Sequence, residues 1–268
     1  MAVTLITELD GTRLEAVGRA ARAVPAGSNA DTGAHLHERT PIYQALLTEP
    51  LAIALLGPGA PAGPSLRLPG TSGPTRLVTS LVGATSLGGA IVQLFAATRR
   101  LRDVARQGGL WPDGVERMHV FAPGSVFPLL RSHPGATLEL SDGSVSLDAG
   151  EITALAEGQT PSEFVETLRQ LVIGGRGQEA ARHLSQSMLY VLGHPQGGMV
   201  ILQGELPVFL HLQEAVAFAA RMAAQLGRGP DQAAVAAGEL FRMAIRGKLA
   251  IVVGPGPGAL RLRYLDLR

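Results

Sequence analysis

Ala136-Thr137-Leu138-Glu139-Leu140-Ser141-Asp142-Gly143-Ser144-Val145-Ser146-Leu147 is the stretch on which the reading of this chain turns. Apolar and polar residues alternate on both sides of Ser141-Asp142-Gly143, and a period of two marks strands whose opposite faces meet different surroundings. Asp-Gly supplies backbone conformations that a tight hairpin needs, so the stretch reads as two antiparallel strands and their turn. A second hairpin is expected over residues 249–265, around Gly254-Pro255-Gly256-Pro257-Gly258.

Working outward, both hairpins end similar successions. Before the first, the pattern predicts a short helix at 43–48 and a buried strand at 51–56. A Gly/Pro loop follows at 57–64, then strands at 65–68 and 76–81. A helix is expected at 86–106, stopped by Gly108 and Gly109, and a short helix at 126–131. Before the second, it predicts a helix at 179–185, strands at 188–192, 199–202 and 206–210, and a helix at 212–226. Gly238, Glu239, Leu240, Phe241 and Arg242 then align with Gly124, Ser125, Val126, Phe127 and Pro128. The second half thus repeats the plan of the first, restarting at about Gln178.

Two helices separate the copies. Asp148 stands three before Glu151, and Thr160, followed by Pro161, stands three before Glu163; both are capping-box spacings. Gly158, Gly174 and Gly175 close these helices, and the second copy is expected to end without counterparts of them. The expected organisation is a helix and linker over 1–39, a first repeat over 40–175 and a second over 176–268. The fold class is α+β, two tandem α/β repeats with mainly antiparallel sheets flanked by helices.

Composition narrows the function classes. The chain has 268 residues, 46% hydrophobic and 17% charged, which places it among chains able to bury a sizeable core. It has no cysteine, which removes thiol catalysis, thiolate metal sites and disulfides and favours a cytoplasmic setting. Residues 1–25 lack the basic, apolar and small-residue succession of an export signal, and Gly and Pro break every apolar run short of a membrane span. A net charge of +1 disfavours nucleic acid as a partner. Arg99, Arg100, Arg102 and Arg106 form the densest basic cluster, and they read as the solvated face of an amphipathic helix.

Several segments resemble the N-terminal domain of SseB-type proteins, the family named for enhanced serine sensitivity. In the first copy these are Ala45-Leu46-Leu47 and Leu147-Asp148-Ala149-Gly150-Glu151-Ile152 running on to Leu155. In the second they are Leu206-Pro207-Val208-Phe209 leading into Glu214, Ala215 and Phe218, and Leu249-Ala250-Ile251-Val252-Val253-Gly254-Pro255-Gly256. The resemblance spans residues 40–158 and, more loosely, 179–268. It implies two diverged copies of an α/β domain of poorly defined biochemical role, with no catalytic residues to carry over.

Chemical candidates each meet a plainer reading. The loop 254–258 follows a strand, but two prolines remove the N–H donors a phosphate cradle needs, so it reads as a hairpin turn. His35-Leu36-His37-Glu38 is the one histidine cluster, and it falls in the expected linker. His119, His133, His183, His194 and His211 are scattered and read as packing residues. Ser125 lacks the second glycine of a nucleophile elbow and reads as a helix cap. Asp142, Asp148 and Glu151 could pair as carboxylates, but read first as turn and cap residues.

The expectation is therefore a non-catalytic protein with no catalytic, metal or cofactor residues and no cofactor. Its foremost role is as a protein-interaction or scaffold module, with a protein partner or a homodimer and no membrane. The alternative is a module binding a small metabolite, an amino acid or a nucleotide, between the two halves.

Overall fold

Leu51–Ala54 (β1) carries apolar side chains alone and is buried along its whole length, so it needs cover on both faces. In the computed structural model, which describes residues 8–23, 36–55, 65–66, 75–76, 91–111, 113–194, 197–226, 229–256 and 258–268, that cover is two layers of helix. Ahead of β1 come α1 (Thr12–Ala23) and α2 (Thr40–Thr48). After it come the short antiparallel pair β2 (Ser65–Leu66) and β3 (Thr75–Arg76), then β4 (Val92–Phe95), α3 (Thr98–Gln107), β5 (Met118–Phe121), α4 (Phe127–Leu130) and the hairpin β6 (Gly135–Leu140) and β7 (Gly143–Asp148). These strands make one sheet in the order β5-β1-β4-β6-β7, with β4 and β6 parallel and the other neighbours antiparallel. Gly143, at φ +151, lies at the hairpin turn, where the sequence placed Asp-Gly.

Helices α5 (Ala149–Ala156), α6 (Pro161–Ile173) and α7 (Gly177–Leu184) lead to β8 (Met188–Gly193), β9 (Glu205–Val208), α8 (Leu212–Leu226), β10 (Asp231–Ala236), α9 (Ala237–Gly247), β11 (Ala250–Val253) and β12 (Leu260–Leu262). Here β10 pairs with β8, and β9 runs parallel to β11, which pairs with β12. Tyr190 and Phe209 exchange two backbone hydrogen bonds of 2.9 Å and join β8 to β9 antiparallel. The resulting succession, β10-β8-β9-β11-β12, has the same order and the same parallel pair as the first sheet. The architecture is α+β, with two sheet arrangements of like strand order.

Each sheet has an apolar layer on both faces. In the first half, Leu14, Ile42, Leu46, Phe127 and Leu155 fill one side, while Leu9, Phe95 and Leu101 fill the other. In the second, Phe164, Leu168, Leu184, Leu240 and Phe241 fill one side, and Tyr190, Phe209, Ala215 and Ala219 the other. Helix α6, counted with the first repeat from sequence, packs into the second core. Helix α5 serves three layers: Ile152 and Leu155 in the first half, Ala154 and Ala149 in the two layers of the second. It is the joint between the halves.

The sequence misplaced several elements. Residues 92–95 were expected inside a helix spanning 86–106, yet Val92–Phe95 is the central strand β4 and helix begins only at Thr98. A short apolar run satisfies either period, and the slot between β1 and β6 decides in favour of strand. The strands β5 and β10 were not foreseen. Asp-Gln-Ala-Ala-Val-Ala in β10 has weak strand preference, and six paired positions along β8 override it. Residues 199–202 contribute isolated bridges at Met199 and Leu202 in place of the expected strand. The expected loop at 57–64 lies outside the described residues.

Candidate functional site

Asp148 ends β7 and caps α5. Its Oδ1 accepts the Glu151 N–H at 2.9 Å, while Glu151 Oε2 accepts the Asp148 N–H at 2.6 Å, closing the capping box that the spacing predicted. Thr160 and Glu163 do the same for α6. Only the first of these boxes is buried between the two halves.

The halves meet closely there. A Cβ on Gly150 would stand 2.4 Å from the Leu210 carbonyl oxygen, so the start of α5 can dock on the end of β9 only because residue 150 has no side chain. Leu212 N–H donates to Asp148 Oδ2 at 3.0 Å, and His211 Nδ1 lies 3.2 and 3.3 Å from the two Asp148 oxygens. Tyr190 of β8 accepts the Ala149 N–H at 3.1 Å and donates to the Pro134 carbonyl at 3.0 Å. On the other side of the cap, Arg39 reaches Glu151 at 2.6 Å and donates to the Ser146 carbonyl at 2.8 Å, and Tyr43 donates to Glu151 Oε1 at 2.5 Å. Six side chains from both halves, Arg39, Tyr43, Asp148, Glu151, Tyr190 and His211, thus meet in one polar network.

Its electrostatics follow from burial and pairing. Burial opposes charge on Asp148, but His211 and the N–H groups of Glu151 and Leu212 hold its carboxyl below the ordinary value. Burial likewise opposes charge on His211, and the Asp148 carboxylate overrides it, pushing the imidazole up to about 9. His211 is therefore an imidazolium at neutral pH. Glu151 is pushed up, first by burial and then by Asp148, with Arg39 acting against both. Tyr43 and Tyr190 are raised, chiefly by burial, and stay neutral.

A cavity of about 370 Å³ opens beside this network. The edge strand β7 forms one wall, through Ser144, Val145, Ser146 and Leu147; Leu36 and Arg39 form another, and His211, Leu212 and Gln213 close it from the second half. The volume is that of ordinary small-molecule sites.

Sequence-derived candidates fall out as follows. Asp148 and Glu151 meet in the network, whereas Asp142 sits in the hairpin turn, paired with Arg19 and Arg22. The Ser125 hydroxyl donates to the Ala122 carbonyl at 2.7 Å, and the cap position of α4 belongs to Val126, which corrects the cap reading of Ser125. On α3, Arg102 pairs with Glu8 and Glu116, and Arg106 with Glu116, so the basic cluster is partly neutralised within the chain. The loop after β11 joins it to antiparallel β12, as the hairpin reading required. His35 lies outside the described residues, while Leu36, His37 and Glu38 begin a helical turn in place of linker. Among the described residues no group of three or more His, Asp or Glu is placed to hold a metal ion, and no helix is long and apolar enough to cross a membrane. Sequence reasoning set His211 aside as a packing residue. Its signal was slight: one histidine between Leu210 and Leu212, where an apolar strand turns into a helix.

Fold and site together define an α+β protein with a cleft bordered by charged residues where its two halves meet. No family model matches the chain, and no curated protein matches it. Among solved structures, Anabaena Tic22, described as a protein-transport protein, aligns over 80% of this chain and 91% of its own at 12% identity, with a TM-score of 0.22. A likeness of that degree carries no argument.

Proposed function

We propose that this chain is a non-catalytic binding module whose site is the cleft between its two halves. The observation that carries the reading is the cavity of about 370 Å³ walled by both halves and bordered by the buried Arg39, Glu151 and His211 and the half-buried Asp148. Ligand sites form by preference at such junctions, where a few polar groups converge on an apolar hollow. His211 has Asp148 as its hydrogen-bonding partner and belongs to the cavity lining. The SseB resemblance, with its two diverged copies, fits this reading and supplies no site residues of its own.

The scaffold reading has less behind it. Among the described residues, the large apolar side chains that are exposed, Val115, Ile173, Ile201, Val216 and Leu265, come from five different segments. A docking surface calls for one contiguous patch.

A thermal-shift screen of small metabolites tests the proposal against Ser146→Trp, which fills the cavity from the exposed face of β7. At a ligand concentration of about 100 times Kd, stabilisation near 3 kcal/mol is expected for the native chain and none for the variant. Equal shifts in both would place the binding elsewhere and refute the cleft.

A further inference from the structure

Four strands end the two sheets, β5 and β7 in the first half and β10 and β12 in the second. Such edges carry unpaired N–H and C=O groups that another strand can take, and proteins commonly block them. On β7 the outward Ser146 carbonyl is taken by Arg39. Strand β12 has three residues with Arg261 at its centre, so pairing with a copy of itself sets like charges opposite each other. On β5 the Leu55 N–H donates to the Arg117 carbonyl, which turns residues 117, 119 and 121 toward β1 and leaves only Met118 and Val120 facing out.

Strand β10 has none of these protections. It is six residues long, none of them buried, and it is uncharged from Gln232 to Ala236. The Ala237 N–H donates to the Ser187 carbonyl, and Tyr190, which stands opposite Ala234, exchanges its hydrogen bonds with Phe209 on its other side. Gln232, Ala234 and Ala236 therefore turn their N–H and C=O groups away from β8, where no described strand pairs with them.

We propose that β10 is a dimer seam, pairing antiparallel with β10 of a second copy of this chain across a two-fold axis at Ala234. The two Ala234 residues exchange two hydrogen bonds, and each Ala236 N–H donates to the partner's Gln232 carbonyl. Ala233 meets the partner's Val235, a small apolar pair. Charge favours the same register. Asp231 is exposed and comes opposite the partner's Ala237, the start of α9, a helix that no side chain caps. It lies on the Val235 face of the strand, and Val235 packs in the core that holds Ala237 and Leu240 of α9. A carboxylate there meets free N–H groups and the positive end of the helix, once on each side of the axis. Helix α8 packs over β8 and β10, so the pairing also brings α8 up to its copy and adds to the area a lasting interface needs.

Sedimentation of the full chain at micromolar concentration tests this. The native chain is expected to run as a dimer and Ala234→Pro as a monomer, because proline removes an outward N–H and leaves the β8–β10 ladder whole. Asp231→Asn should weaken the dimer roughly tenfold, through two lost charge–dipole contacts. Should Ala234→Pro fail to fold, hydrogen exchange in the native chain decides: the Ala234 and Ala236 N–H groups exchange slowly in the dimer and quickly on dilution to monomer. A native chain that sediments as a monomer overturns the proposal. A dimer that survives Ala234→Pro, or one in which those two N–H groups exchange freely, places the interface elsewhere and overturns it equally. An Asp231→Asn dimer as tight as the native one removes the register at Ala234.

Discussion

The start of α3 and the start of α8 occupy the same place in the two halves, and the chain treats them differently. Thr98 N–H donates to the Leu9 carbonyl at 3.2 Å, and Leu212 N–H to the Asp148 side chain at 3.0 Å. Two residues beyond each acceptor stands a glycine pressed on the strand end before the helix: Gly11 on Ala96, Gly150 on Leu210. The two places share the close glycine contact, and the difference lies in the side chains around it. At Thr98 the hydroxyl bonds Glu8, an exposed carboxylate also held by Arg102. At Leu212 the neighbours are the half-buried Asp148 and the buried His211, beside a cavity. One copy of the junction is a surface cap, whereas the other, enclosed between the halves, has become a charged site.

The comparison breaks hardest at the glycines. Gly150→Ala puts a methyl 2.4 Å from the Leu210 carbonyl oxygen, with the His211 ring at 2.9 Å. A loss of about 4 kcal/mol is expected in urea unfolding, because neither half can retreat without opening the joint. Gly11→Ala meets Ala96 backbone at 2.8 Å and is strained by φ +67, but it lies at the edge of the protein and can shift, so about 2 kcal/mol is expected. Equal losses would show that the joint is no tighter than the edge.

Next comes the dependence of stability on pH. His211 is pushed up to about 9 from an ordinary 6.5, so it binds its proton more tightly folded than unfolded. Its contribution, roughly 3 kcal/mol, is fully present below pH 6.5 and is lost as pH rises through 9. Asp148 is shifted the opposite way, so what it adds is lost at the acid end, below its lowered folded value. Unfolding followed from pH 6 to pH 10 should show the alkaline loss in the native chain and none in His211→Gln. A flat profile for the native chain would mean that the imidazole is neutral in the fold.

The smallest effect belongs to the surface copy. Arg102, and after it Thr98, hold the Glu8 carboxyl down to about 2, but the group is fully exposed and water screens the pair. Glu8→Gln should leave the urea midpoint nearly unchanged, and 1 M salt should erase whatever difference remains. A loss rivalling that from the His211 change would mean that the two junctions are energetic equals.

Much of this plan was legible in the chain. Asp148 with Glu151 and Thr160 with Glu163 announced two helix starts, because a capping box is closed by residues three apart and needs no distant partner. The Asp-Gly turn announced the first hairpin for the same reason. Val92–Phe95 was not legible, since three apolar residues around Gln93 satisfy either period and their strand identity comes from the slot between β1 and β6. The candidate site was half legible: Asp148 and Glu151 stood out as a pair, while Arg39 and His211 join them from 112 residues before Glu151 and 63 residues after Asp148.

What the sequence determined by itself is local and repeated: the turns, the caps, the alternation of apolar residues and the order of elements that recurs in the second half. The tertiary structure decided which of two equivalent junctions became buried. Asp148 and His211 are ordinary polar residues in the sequence. Enclosure between the halves opposes charge on both, and their mutual attraction, with the N–H groups of Glu151 and Leu212 on Asp148, outweighs it at the edge of a cavity.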